Sequence, residues 1–292
     1  MTQYRTIEEV LSPSASHMVG DGFKVVNFSP GGGNFGDRMS PFFLMDFNPE
    51  FNFSPTVHPR GVGVHPHRGF ETVTIAYKGS VAHNDSTGNS GIINPGDVQW
   101  MTAASGILHK EYHEKEFAKK GGAFEMAQIW VNLPKKYKMS APKYQAILHE
   151  QKGNYELENY MGNVLVIAGE YNGVKGAAKT FSPVEMYDIR LNENGETEFN
   201  LPAGFNTGLL IVEGEATINE NTIAREHQYV QFKNEDGAIK IKANKKSALL
   251  LLSGEPINEP VAAYGPFVMN TIEEIQEAMD DFNGGKFGKL AH

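Results

Sequence analysis

The chain has 292 residues, with 26 Lys and Arg against 35 Asp and Glu and a formal net charge of −9. An acidic chain without a basic run is a poor candidate for direct binding to nucleic acid or to an anionic membrane. It has no cysteine, which excludes disulfides and thiolate-held zinc or iron–sulfur sites, and its N-terminus and short apolar runs fit neither a secretory signal nor a bilayer span, so a soluble, intracellular, cytoplasmic protein is expected.

Residues 1–22 mix Ser, Pro and charge and read as an arm leading to a strand at 23–28. The run Gly31-Gly32-Gly33 is followed by no Gly-Lys-Ser/Thr; it reads as a loop, with no helix opening after it and no phosphate-binding role. Residues 41–47 are apolar and read as a buried strand. The Pro- and Gly-rich stretch 51–63 then delivers the chain to His65-Pro66-His67-Arg68-Gly69-Phe70-Glu71.

Pro66 argues against a helix at this point. In an extended strand, positions i and i+2 share a face, so His65 and His67 project together. The same parity carries Gly69, Glu71, Val73, Ile75 and Tyr77 onto that face. The pattern describes two imidazoles and a carboxylate at one end of an otherwise apolar strand face, which suits a metal site at the mouth of a β-barrel. His109 and Glu111 repeat the i, i+2 arrangement 44 residues after His65, and six of the ten histidines fall between His58 and His113. Three imidazoles and one carboxylate suit Fe(II), Mn(II), Cu or Ni better than a structural zinc site. Parity alone leaves both Glu71 and Glu111 open as the carboxylate. His58 and His113 read as surface histidines, and His83 falls on a turn and receives no role.

From residue 72 onward, short apolar or alternating segments are broken by Lys78-Gly79, residues 85–88, Asn94-Pro95-Gly96-Asp97 and Ala104-Ser105-Gly106. That spacing predicts an all-β barrel or sandwich. Residues 113–120 read as a charged connection. Neither His113-Glu114 nor His149-Glu150 completes His-Glu-x-x-His, since residues 117 and 153 are Phe and Gly; a metalloprotease is not indicated. Residues 134–143 hold two prolines and four lysines and read as a surface linker. They divide the chain into domain 1–134, linker 135–143 and domain 144–292.

The β pattern resumes beyond the linker, and the halves look like weak repeats. Thr74 to Gly79 aligns with Leu209 to Gly214, and Val98-Gln99-Trp100 with Val230-Gln231-Phe232. Counted from these anchors, His65, His67, His109 and Glu111 correspond to Asn200, Pro202, Ile241 and Ala243, so the second half keeps the fold and lacks the ligands. Thr271 and Glu274 form a capping box ahead of an apolar stripe of Ile272, Ile275, Ala278, Met279 and Phe282. This predicts a C-terminal helix over about 271–283, ended by Gly284-Gly285.

The block His-Pro-His-Arg-Gly-Phe-Glu-Thr-Val at 65–73 resembles the signature of the pirin family. Residues 94–103 and 106–111 resemble its second block, and residues 130–134 and 264–271 match further segments. The resemblance runs from about residue 41 to the C-terminal helix. It implies an all-β bicupin: two jelly-roll-like β-barrel domains with a C-terminal helix. It also implies one divalent transition metal per chain in the N-terminal barrel, Fe(II) first, with Mn, Cu, Ni or Zn as alternatives. The implied ligands are His65, His67, His109 and Glu111, which leaves Glu71 as a pocket or supporting carboxylate. The implied activity is a quercetin 2,3-dioxygenase-like oxidoreductase that uses O2 to open a flavonol-like polyphenol, with Glu111 both ligand and catalytic base. Phe53, Phe70 and Trp100 are candidate pocket walls. The alternative is a metal- or redox-sensing regulator, a pirin-like transcription cofactor that binds a protein partner without turnover. A monomer is expected.

Overall fold

The computed structural model describes residues 3–290. Its paired strands run antiparallel, and the chain forms two compact units. These do not follow the split at 134–143. The first unit in space takes residues 15–27, Phe42–His149 and the chain from Ile257 onward; the second takes the segment ending at Ser14, Phe28–Pro41 and Glu150–Pro256. The reason lies in the pairing. Ile7–Leu11 adds an outer strand to Tyr229–Phe232 of the second unit, whereas residues 267–268 bond to Arg68 in the first.

The first unit packs a five-stranded sheet against a four-stranded one. The larger runs Lys143–Ile147, Val98–Thr102, Phe70–Lys78, Gly122–Asn132, Phe42–Phe53 in spatial order. The smaller runs Gly61–His67, Ile107–His113, Val81–Asp85, Ser90–Ile93. In the second unit, the order Tyr229–Phe232, Asn206–Glu213, Ser247–Gly254, Val184–Leu191 repeats the plan of the larger sheet, and Glu196–Phe199, Ile239–Ala243, Glu215–Ile218, Thr222–Arg225 that of the smaller. The two repeats are therefore two cupin-type sandwiches of one topology.

The pairing corrects the counted register. His109 faces His65 and Ile107 faces His67; in the second unit Ile241 faces Thr197 and Ile239 faces Phe199. The counterparts of His65 and His67 are thus Thr197 and Phe199, not Asn200 and Pro202. The count slips because residues 200–205 join strands that only residues 68 and 69 join in the first unit. The conclusion drawn from it stands, since Thr197, Phe199, Ile241 and Ala243 offer no imidazole or carboxylate. Phe199, Ile241 and Ala243 are core residues there, packed with Leu209, Leu249 and Ile189.

Several local expectations change. A short helix, Phe35–Met39, does open after the glycine run, with Asn34 and Asp37 as its capping box. Residues Lys115–Lys120 are helical, with the Glu114 carboxylate accepting from two amides of the first turn. Lys138, in the supposed surface linker, is buried: its Nζ donates to the Gly69 and Val268 carbonyls and to Asn132 Oδ1 at 2.6–2.8 Å, and burial lowers its pKa to about 7. The C-terminal helix is Ile272–Asn283 with the Thr271–Glu274 capping box. Only part of its stripe is buried, because Ile272 is 71 % and Phe282 38 % exposed.

Candidate metal centre

The face parity from His65 to Tyr77 breaks at residues 68 and 69. Gly61–His67 belongs to one sheet and Phe70–Lys78 to the other, and the chain crosses between them at Gly69, where φ is +92°. A Cβ on Gly69 would stand 1.9 Å from the Val268 carbonyl oxygen, so only glycine fits both the conformation and the approach. Arg68 holds the crossing. Its Nε donates to the Ser105 carbonyl at 2.7 Å, its Nη2 to Asp281 Oδ2 at 2.8 Å, and the guanidinium lies 4.7 Å from the Phe287 ring centre.

Because the crossing resets parity, Phe70, Thr72 and Thr74 face the inside of the sandwich and Glu71 does not. Thr74 Oγ1 donates to the Glu111 carboxylate at 3.5 Å, while Glu71, three positions away, accepts from Thr102 Oγ1 at 2.7 Å on the opposite face. Burial raises the Glu71 pKa to about 7. Glu71 is a core carboxyl outside the pocket.

The histidines do converge. His65 and His109 are direct partners across the ladder, with ring centres 4.2 Å apart; His67 lies 4.6 Å from His109 and 4.8 Å from His65. One ring nitrogen of each can be chosen so that all three lie within 4.8 Å of one another. His65 Nδ1 donates to the Gly63 carbonyl at 2.8 Å, which leaves Nε2 as the lone pair turned outward, the usual support of a ligating imidazole. His67 and His109 are fully buried. Burial, and then the neighbouring imidazoles, press both pKa values well below the ordinary range, so both rings stay neutral and able to ligate. His109 Nδ1 and Nε2 and His67 Nδ1 find no protein partner. Buried nitrogens so placed, in a set of three imidazoles, fit a transition metal.

Glu111 follows His109 across a β-bulge. Its carboxylate lines the same pocket, bonded by Gln128 Nε2 at 3.2 Å and by Thr74. Burial raises its pKa, opposed by His65, Gln128 and Thr74.

Above the imidazoles lies a cavity of about 380 Å³, walled by Phe23, Val25, Val62, Met126 and Trp130 and carrying Asp46, Asn48 and Gln128 as its further polar groups. Asn27 Nδ2 donates to Asp46, whose pKa burial raises to about 6. Of the expected walls, Phe70 stacks behind Trp130 at 4.2 Å and meets the His67 ring at 5.0 Å. Trp100 is fully buried elsewhere, opposite Val73 and Gln145. Phe53 packs on His113 and Phe124. His113 is a core residue, ringed by Phe23, Phe53, Phe117 and Phe124, with its Nε2 on the Gly22 carbonyl at 2.8 Å. His58 is exposed, as expected. His83 sits in the strand Val81–Asp85, buried against Tyr144. The sequence reading missed Trp130, Gln128, Asp46 and Asn48. Their signal was an alternation of Met126, Gln128 and Trp130 inside one strand, and polar residues alternating in another.

Two family models match the chain: "Pirin" over residues 24–131 and "Pirin C-terminal cupin domain" over 186–288. The chain belongs to the pirin family. It is 39 % identical over 254 residues to a pirin-like protein of Solanum lycopersicum, covering 86 % of this chain and 83 % of that one. With the pirin of Mus musculus it shares 37 % over 256 residues, covering 86 % and 84 %. A crystal structure described as quercetin 2,3-dioxygenase from Acinetobacter baumannii superposes with a TM-score of 0.93 at 45 % identity, over 99 % of this chain and all of that one. No helix among the described residues of this pirin is long and apolar enough to cross a membrane.

Proposed function

We propose that this pirin is a metal-dependent dioxygenase that opens a flavonol-like polyphenol with O2. Fe(II) is the metal of choice, held by His65, His67, His109 and Glu111. The observation that carries the reading is the union of a three-imidazole cluster, two of its rings kept neutral by burial, with a raised-pKa carboxyl at one apolar pocket. A divalent ion at this cluster would supply Lewis acidity toward a bound enol or phenol oxygen.

The chain's own groups supply the rest. Glu111, lining the pocket beside Gln128 and Thr74, is placed to take the hydroxyl proton as substrate binds. Trp130, Phe23 and Met126 present flat apolar surface to an aromatic ring system and exclude water from it. Asn48, buried with neither side-chain polar atom paired, and Asp46, with its pKa near 6, offer hydrogen bonds to hydroxyls of a ligand from the strand that pairs with Met126 and Gln128. The similarity to the Acinetobacter baumannii structure, named for quercetin 2,3-dioxygenase activity, supports the same reading.

The test is oxygen uptake with quercetin by protein loaded with Fe(II), Mn(II) or Ni(II), each against the metal-free chain. Metal-dependent uptake supports the proposal. Tight metal binding with no uptake for any polyphenol, together with metal-dependent capture of a protein partner, would replace it with the regulatory reading.

A further inference from the structure

Two polar side chains of the pocket come from a strand that carries none of the proposed metal ligands. Asp46 and Asn48 stand two positions apart in the strand Phe42–Phe53, so they share a face, and both line the cavity. Their ladder partners are Gln128 and Met126, which line it too. Asn48 is 1 % exposed, and neither its Oδ1 nor its Nδ2 has a protein partner. Asp46 Oδ1 accepts from Asn27 Nδ2, and among the described residues no second side chain donates to that carboxylate.

Leaving both ends of a buried amide unpaired is costly, and folded chains seldom do so without a partner for them. Asn48 lines a cavity of about 380 Å³, so the missing partner belongs to what that cavity takes in. The donor count fixes its chemistry. Asn48 Oδ1 and the second oxygen of Asp46 both accept; each needs a proton, and one hydroxyl has only one. Asn48 Nδ2 donates, and a hydroxyl oxygen can accept that bond while its own proton goes to an acceptor. The complement is therefore two O–H groups side by side. The α-carbons of residues two apart in a strand lie about 7 Å from one another, a span that two adjacent ring hydroxyls fill with one hydrogen bond at each end. A carboxylate on the ligand would meet the charge of Asp46. The walls Phe23, Val25, Met126 and Trp130 are apolar, which favours hydroxyls on one edge of an aromatic ring over a polyol with hydroxyls all round.

We infer that Asn48 and Asp46 form the subsite that selects an ortho-dihydroxylated aromatic ring, a catechol, over a ring with one hydroxyl or none. The inference rests on the proposed reading of the pocket as a polyphenol site and deepens it. Asn48 engages one hydroxyl through both ends of its amide, and Asp46 takes the proton of the second. Asn27, bonded to Asp46, orients the carboxylate for that role. The choice is made by protein groups and needs no metal.

Three flavonols with one core test it: quercetin, kaempferol and galangin, with two, one and no hydroxyls on the pendant ring. Calorimetric titration of the metal-free chain reads their affinities without any contribution from metal chelation. Quercetin should bind tighter than galangin by about tenfold or more, the scale of one hydrogen bond to a charged acceptor, with kaempferol between them. Asn48→Leu should weaken quercetin by about tenfold and leave galangin within about twofold. Equal affinity of the parent for all three, or an equal loss for all three in the variant, overturns the subsite. Should Asn48→Leu fail to fold, Asn48→Ala replaces it, and the parent's order of affinities decides in any case. A crystal structure of the parent with quercetin is expected to show the pendant-ring hydroxyls within hydrogen-bond distance of Asn48 and Asp46; that ring turned away from both residues overturns the inference. Absence of quercetin oxygenation by the metal-loaded chain would sink the dioxygenase reading alone, and the binding order on the metal-free chain would still decide the subsite.

Discussion

The Phe70 and Trp130 rings stack at 4.2 Å, and the His67 imidazole stands edge-on to both, at 5.0 and 5.2 Å. One ring therefore backs the pocket wall while both pack against a candidate metal-binding imidazole. Phe70→Ala should cost about 3–5 kcal/mol, the range for emptying a buried aromatic position, read as a lower urea midpoint. Trp130→Leu leaves Phe70 to support His67 but strips the flat wall. It should keep most of the metal while weakening an aromatic ligand by about tenfold, an aromatic contact plus lost buried area. Ligand titration and metal analysis on the same sample check this, and loss of metal equal to that of His67→Ala would contradict it.

The proposed ligands separate from Glu71 in a variant series. His65→Ala, His67→Ala and His109→Ala each remove an imidazole from the cluster and should leave little bound metal. Glu111→Gln keeps an oxygen donor but loses the charge and most of the basicity, so partial metal retention with activity down about a hundredfold or more is expected. Glu71→Gln, on the far face of its strand, should hold metal as the parent does. Metal content and oxygen uptake across the five variants decide, and an empty site in Glu71→Gln would refute the face assignment.

Glu71 has a different signature, in stability. Its pKa rises from 4.5 to about 7 in the folded chain, chiefly through burial. A carboxyl raised on folding keeps its proton while the unfolded chain loses one, so its contribution is complete below pH 4.5 and is lost as pH climbs to about 7. The loss is about 3 kcal/mol by that shift. Urea midpoints of parent and Glu71→Gln between pH 4 and 8 should therefore diverge, with the variant gaining relative to the parent toward pH 7. A constant difference across the range would rule this out.

How much of this was legible in the sequence follows from where parity survives. His65 with His67, and His109 with Glu111, lie within single strands, so the i, i+2 rule applies to each pair. Glu71 lies beyond the crossing at Gly69, where the chain changes sheets and the rule no longer runs. The capping box at Thr271 is local chemistry and was visible. The burial of Lys138 depends on Val268, 130 positions away, and no local pattern encodes that contact. His113 looked like a surface charge in a charged stretch; its aromatic cage is assembled from Phe23, Phe53, Phe117 and Phe124, which only the folded sandwich brings together.

The raised pKa of Glu111 predicts the proton balance of metal binding. In the metal-free chain burial holds a proton on this carboxyl above the ordinary carboxylate range, yet a carboxylate must be deprotonated to ligate. His67 and His109, held neutral by burial, have no proton to give at mildly acid pH. Metal binding on the acid side of the Glu111 transition should therefore expel a proton from Glu111, and affinity should grow as pH rises through that transition. Glu111→Gln removes that proton. Calorimetric titration with Ni(II), an air-stable probe, in buffers of different ionisation enthalpy counts the protons released. The parent should release up to one more than Glu111→Gln on the acid side of the Glu111 transition, and the gap should close on its alkaline side. Equal release by the two proteins across that range would mean that Glu111 does not ligate, and that the three imidazoles hold the metal alone.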